Sequence, residues 1–444
     1  MRDSPNDGQA DDGQADDGQT VLPDTPQPGA SPPAKPENVE PEASESKDFS
    51  LRRLFALALS TRFFVDTGTQ IFMPFLPNIA AGLGVDIVTM GRLVSLRSAT
   101  GLIAPLFGAM ADRRGYRTVL RVGLLLGGFG YLLIALSNSL WMAMVGMVLS
   151  GLGTFAFLPT IQAYVSARLP YNQRGRGLGI LEYAWALSGI GGLFLVGQLI
   201  AATSWRAPFF LLGGALLFFW LLYLPLPSTR GQTGSPVADP SARPSLQRRM
   251  QNFLYLGTEH RSAWGDILAA GLIMFSAMHI MITYGAWFQN EYGLGPATLG
   301  SVALILGLAD LTASGLVSLI SDRLGKRRSV IIGAAMSLVA YMFLPVLNVG
   351  IFLALVGLVL ARFAFEFAVV SNMALLSEQS PTQRGKVLTF GVTSSLIGTT
   401  LAGVTGPWSY ELLGVLGLSA FSVPAIFLAL LVLIFLVGEP GQNG

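Results

Sequence analysis

A chain of 444 residues with 52% hydrophobic and only 12% charged residues cannot be an ordinary soluble protein, whose charged share is about a quarter. The formal net charge is +2 and there is no cysteine, which excludes disulfides, thiolate metal centres, iron–sulfur clusters and cysteine nucleophiles. With no HExxH, GxSxG or Walker A sequence, the expectation is a non-enzyme without cofactor or metal, not powered by ATP hydrolysis within this chain and without a nucleic-acid partner.

Residues 1–50 form the first expected segment. They repeat DGQAD from Asp7 and then turn rich in Pro, Glu and Ser, with almost nothing apolar to bury. Such a segment reads as a disordered, acidic cytoplasmic tail. From Leu54 onward the chain divides into twelve apolar runs of the length a membrane helix needs, about 20 residues. Their centres fall near Asp66, Ser98, Gly128, Thr154, Gly189, Leu217, Ala277, Gly307, Leu338, Arg362, Gly398 and Ile426. The expected fold is an all-α polytopic membrane protein in two six-helix, pseudo-symmetric bundles, 51–227 and 265–438. A 228–264 linker joins them and a short 439–444 tail follows.

Every even turn is basic: Arg113, Arg114, Arg117 and Arg121 follow the second helix, Arg168, Arg174 and Arg176 the fourth, Arg323, Lys326, Arg327 and Arg328 the eighth, Arg384 and Lys386 the tenth. The positive-inside bias then places both termini and the linker in the cytoplasm of a cell, or inner, membrane. Within the linker, Ser245–Leu256 mixes basic and bulky apolar residues and reads as an interfacial helix or an amphipathic spacer.

Two strings recur 210 positions apart. ADRRGYR begins at Ala111 and SDRLGKR at Ser321, and QRG follows at Gln173 and again at Gln383. One offset for two motifs indicates a tandem duplication. The first loop, with Gly108, Asp112, Arg113, Gly115 and Arg117, and its echo, with Asp322, Arg323, Gly325 and Arg327, resemble the loop signature of the major facilitator superfamily; in the echo Ser318 replaces the first glycine. The resemblance covers about Leu54 to Val437 and implies a secondary transporter, with helices 1, 4, 7 and 10 lining a central cavity. An acid at a helix end can latch onto the unpaired amides that start a neighbouring helix. Asp112 is expected to latch near Gly385 and Asp322 near Gly175, both released when the cytoplasmic side opens; the alternative is that the cluster only sets topology. Two departures from the family stand out. Helix 4 has Met147 four residues before Gly151, where many proton-coupled members carry arginine, and helix 5 has SGIGG from Ser188 without the proline of the drug-antiporter branch.

An ionised side chain near the bilayer centre costs about 2.5–3.5 kcal/mol on insertion scales, so each needs a partner or a task. The candidates are Arg62, Asp66, Arg97, His279, Asp310, Arg362 and Glu366, with Glu182 close enough to the cytoplasmic start of its helix to reach the interface. Arg62 and Asp66 stand four apart on one helix face, and Arg362 and Glu366 repeat that spacing in helix 10, so two mixed-charge pairs are expected to face a common space. Asp66 is expected to bind the coupled proton, tuned by Arg62 or Arg97. Asp310 is expected either to meet Arg97 or to accept a proton, and His279 to relay protons, contact substrate or pack. The alternative for the pairs is that they are static. The expected function is proton-coupled secondary transport of a small organic solute by alternating access, in the direction of export, by a monomer in a lipid bilayer. A lipid or lysolipid flippase and a non-transporting sensor on the same scaffold are the alternatives.

Overall fold

The computed structural model describes residues 51–170, 173–227, 255–256, 260–380 and 382–438, apart from the side chain of Asp322. The acidic tail, the linker segment expected to be interfacial (except Tyr255 and Leu256) and the 439–444 tail lie outside the described residues.

Regular structure among the described residues is helical throughout. The first helix, α1 (Leu51–Gln70), ends in a short turn before Pro74 and Pro77, and α2 (Leu76–Leu83) closes on Gly84 at φ 68, which returns its N–H to the carbonyls of Ala80 and Ala81. Asp86 then caps α3 (Ile87–Ala99) by accepting the Thr89 backbone N–H at 2.6 Å. That bond holds the Asp86 carboxyl below its ordinary range. A 3₁₀ turn at Thr100–Ile103 leads into α4 (Ala104–Arg114), followed by α5 (Tyr116–Leu136) and α6 (Leu140–Ser166). Next come α7 (Arg174–Leu187), a π turn at Ser188–Gly192, α8 (Leu193–Ala202) and α9 (Ala207–Leu222). After the linker follow α10 (His260–Tyr292), α11 (Pro296–Leu324), α12 (Lys326–Leu347), α13 (Ile351–Leu376), α14 (Arg384–Leu413) and α15 (Val415–Phe435).

Among the described residues, ten helical spans are long and apolar enough to cross a membrane. Helix α1 is not among them because Arg53, Arg62 and Asp66 interrupt it, and α9 is apolar but only 16 residues long. The protein is therefore an integral membrane protein built of helices.

The duplicated loops adopt duplicated geometry. Gly115 and Gly325, equivalent in the repeat, join α4 to α5 and α11 to α12 at φ 85 and 84, a region that costs any residue with a Cβ. Arg117 donates to the Leu226 carbonyl at 2.8 Å, and Arg121 to the carbonyls of Tyr223 (3.2 Å) and Leu224, all just past the end of α9. Arg327 does the same at the end of α15, on Leu433 at 3.3 Å and Ile434 at 2.8 Å. A guanidinium on exposed terminal carbonyls is favoured by both hydrogen bonding and the helix dipole.

Packing differs between the two ends of the bundle. Far from the basic loops, α3 meets α14 and α8 meets α11 backbone to backbone: a Cβ on Gly91 would lie 2.4 Å from the Gly403 carbonyl oxygen, and one on Gly197 2.6 Å from that of Pro296. Nearer the basic loops, Gly108, Gly175, Gly315 and Gly385 have open space where a Cβ would stand.

Candidate transport site

Two charged clusters lie within the helices, each with one arginine and two acids. In the first, Arg62 on α1 donates from Nη1 and Nη2 to the two carboxylate oxygens of Glu182 on α7, both at 2.8 Å. Gln162 of α6 adds a third bond to Glu182, at 2.8 Å. Asp66 approaches Arg62 only through Nε, at 3.3 Å, and both of its oxygens are buried without a hydrogen bond. Exposure grades along this chain: Asp66 is 0% exposed and Arg62 4%, while the Glu182 side chain is 55% exposed. Sequence reasoning undervalued Glu182. Its distance from the start of α7 suggested a residue that reaches the interface; its side chain is 55% exposed, and it is also the main partner of Arg62.

In the second cluster Arg362 on α13 donates from Nε and Nη2 to Asp310 on α11, at 2.6 and 2.5 Å, and lies over the Phe365 ring. Glu366, one turn on, makes no such pair; it accepts a hydrogen bond from the Ser314 hydroxyl at 2.9 Å. The expected pairing of Asp310 with Arg97 is therefore corrected. A guanidinium fork matches a carboxylate that faces it from another helix, while an acid four residues C-terminal to the base in its own helix is the less favourable order.

Beside the second cluster is a small, partly open cavity lined by Gln70, Met73, Gly189, Leu193, Met281, Tyr284, Asp310 and Arg362, among others. Gln70 reaches across to the π turn, donating to Ser188 Oγ at 2.6 Å and to the Trp185 carbonyl at 3.2 Å. One end of the cavity is thus a bidentate ion pair, and much of the wall is apolar or aromatic.

Arg97 is 3% exposed and pairs with no carboxylate among the described residues. Its Nε donates to Ser150 and its Nη2 to Thr69, Tyr131 and Thr154, at 3.0–3.3 Å. Ser150 and Thr154 belong to α6, so a guanidinium from α3 contacts the helix that carries Met147. His279 does not join either cluster. Its Nδ1 lies 3.0 Å from the Phe275 carbonyl and its Nε2 2.7 Å from Thr405 Oγ1, and the ring stacks on Phe421, which places it between α10, α14 and α15. Met281 and Tyr284 carry the cavity face of α10 instead. A buried acid that sequence reasoning passed over, Asp266, accepts a 2.6 Å hydrogen bond from Asn372 and keeps its second oxygen unbonded. The available signal was an acid immediately before the apolar run that starts at Ile267.

Of the loop residues, Asp112 and Arg113 are exposed and form no hydrogen bond or ion pair among the described residues. The side chains of Gln173 and Gln383, which precede α7 and α14, form no cap hydrogen bond. The expected Asp112 latch is not engaged in this conformation, and the side chain of Asp322 lies outside the described ones. Arg323 is exposed, whereas Arg117 and Arg327 are tied to helix ends. Glu378, at the end of α13, pairs with Lys326.

The family model of the Major Facilitator Superfamily matches residues 58–309 and 267–444. The chain is 26% identical to the uncharacterized MFS-type transporter YwfA of Bacillus subtilis over 80% of its length and 85% of the relative's. It is 27% identical to the class B tetracycline resistance protein of Escherichia coli, covering 77% of this chain and 83% of that one. In fold it is similar to the crystal structure of a D-xylose–proton symporter, with a TM-score of 0.69 at 17% identity over 88% of this chain and 99% of the other. Duplicated loops with matching glycines, apolar helices and this family match lead to one conclusion: the chain is a membrane transporter of the Major Facilitator Superfamily.

Proposed function

We propose that the protein is a proton-coupled secondary transporter of a small amphipathic organic solute, in the direction of export. Twelve spans, counting the charged α1 and the short α9, form two bundles, 51–227 and 265–438, with both termini and the linker on the cytoplasmic side of the cell membrane. The halves rock around the central cavity. The conformation described here is then the one open to the cytoplasm: tight glycine contacts seal the outer side, and the Asp112 latch is released. The cavity suits a solute with polar groups for Gln70 and the Asp310–Arg362 pair and an apolar body for Met281 and Tyr284. A relative named for tetracycline resistance and a fold neighbour named as a proton symporter support flux of a small molecule and coupling to protons.

The observation that carries proton coupling is Asp66, fully buried with two unbonded oxygens and linked through Arg62 to Glu182, whose side chain is 55% exposed. A carboxylate in that position has a reason to take a proton, and an exposed neighbour offers the path. The test is purified protein in liposomes with a pH-sensitive dye inside, challenged with sugars, amino acids, drugs and lysolipids. Substrate-linked proton movement is expected with an amphipathic organic compound. Flux without proton movement, or movement of lysolipid alone, would overturn the proposal.

A further inference from the structure

The two clusters have the same composition and opposite settings. Each holds one guanidinium and two carboxylates: an arginine and an acid four apart on one helix, with a second acid from a neighbouring helix. In the first, Arg62 commits both terminal nitrogens to the more exposed acid, Glu182, and leaves the buried Asp66 unbonded. In the second, Arg362 commits to the buried acid, Asp310, and leaves the partly exposed Glu366 with only the Ser314 hydroxyl. A guanidinium neutralises one carboxylate. With all members ionised, each cluster carries one surplus negative charge at a depth where such a charge is costly.

We propose that Glu366 is a second proton-binding carboxylate, so that each turnover moves two protons, one through Asp66 and one through Glu366. This rests on the proton-coupled function proposed above. The charged groups acting on Glu366 are Asp310 of α11 and Arg362 of α13; those acting on Asp66 are Arg62 of α1 and Glu182 of α7. Arg97 is occupied by hydroxyls and pairs with neither. Loading takes a proton from water on one side to form a carboxylic acid, and unloading returns it to water on the other; no other bond changes. Ser314 donates to Oε1 of Glu366, which leaves Oε2 to carry the proton.

The test needs no knowledge of the substrate at its first stage. Infrared difference spectra of the purified full-length protein across a pH titration should contain, among its carboxylic-acid bands, one lost in Asp66→Asn and another lost in Glu366→Gln. Glutamine can still accept the Ser314 bond, and persistence of the Asp66 band in Glu366→Gln shows that the variant is folded. Protons moved per substrate, with a compound transported in the liposome panel, should fall from two to one in Glu366→Gln. A spectrum unchanged by Glu366→Gln, or an unchanged proton count, overturns the second site while leaving coupling through Asp66 intact. Absence of the Asp66 band instead contradicts the function proposed above.

Discussion

Arg62 gives both terminal nitrogens to Glu182, on a helix 120 positions away in sequence, and not to Asp66 in its own helix. Two parallel 2.8 Å bonds are the strongest form a guanidinium–carboxylate contact takes, and Gln162 reinforces the acceptor. The cost is transferred to Asp66. It is held within 3.3 Å of a cation that is already neutralised.

The Asp310–Arg362 pair is a deeply buried ion pair, with side chains 8% and 6% exposed. Removing one partner strands the other charge, at a cost of about 3–5 kcal/mol. Arg362→Met is therefore expected to lower the unfolding temperature in detergent markedly, and adding Asp310→Asn to recover part of the loss. A double variant no more stable than Arg362→Met would show that the pair is not what holds α11 to α13.

Alternation can be read with introduced cysteines, because the chain has none of its own. Asp112→Cys with Gly385→Cys is expected to cross-link poorly in the conformation described here. Gly91→Leu, which cannot fit against the Gly403 carbonyl, should spread α3 from α14 and raise the cross-linking yield. Equal yields with and without Gly91→Leu would break the link between the two ends.

The repeated arginines should separate by role. Arg117→Ala and Arg327→Ala each remove charge-assisted bonds to the carbonyls at a helix end, worth about 1.5–3 kcal/mol. Arg113→Ala, on an exposed side chain without a partner, should leave the unfolding temperature unchanged and alter transport rate alone. Thermal melts beside flux measurements check the distinction.

Asp86→Ala removes the cap of α3, at about 1 kcal/mol. The Thr89 amide lowers the folded-state affinity of Asp86 for a proton, so its contribution is complete above the ordinary carboxylate range and lost as pH falls through the lowered folded value. The gap in unfolding temperature between wild type and Asp86→Ala should thus be full at neutral pH and close in acid. A gap that widens in acid would contradict the cap.

The helices were legible because apolar length and basic turns are strong, local signals. The repeat at Gly115 and Gly325 was equally plain, since its backbone demand is met by one residue type. The ion pairs were not. Spacing of four puts Arg62 beside Asp66 and Arg362 beside Glu366, but which acid a guanidinium takes depends on what faces it across the bundle, and Glu182 and Asp310 belong to other helices. His279 failed for a related reason. Helix α10 is buried nearly all round, so its sequence carries no polar face to show that the cavity side holds Met281 and Tyr284.

Coupling through Asp66 is measured most directly as accumulation in liposomes under an imposed pH gradient, beside counterflow exchange without one. Each coupled proton supports about a tenfold accumulation per pH unit. Asp66→Asn should lose at least that factor while exchanging substrate at the wild-type rate, because the cavity at Asp310, Arg362 and Gln70 is untouched. Full gradient-driven accumulation by Asp66→Asn would contradict the account.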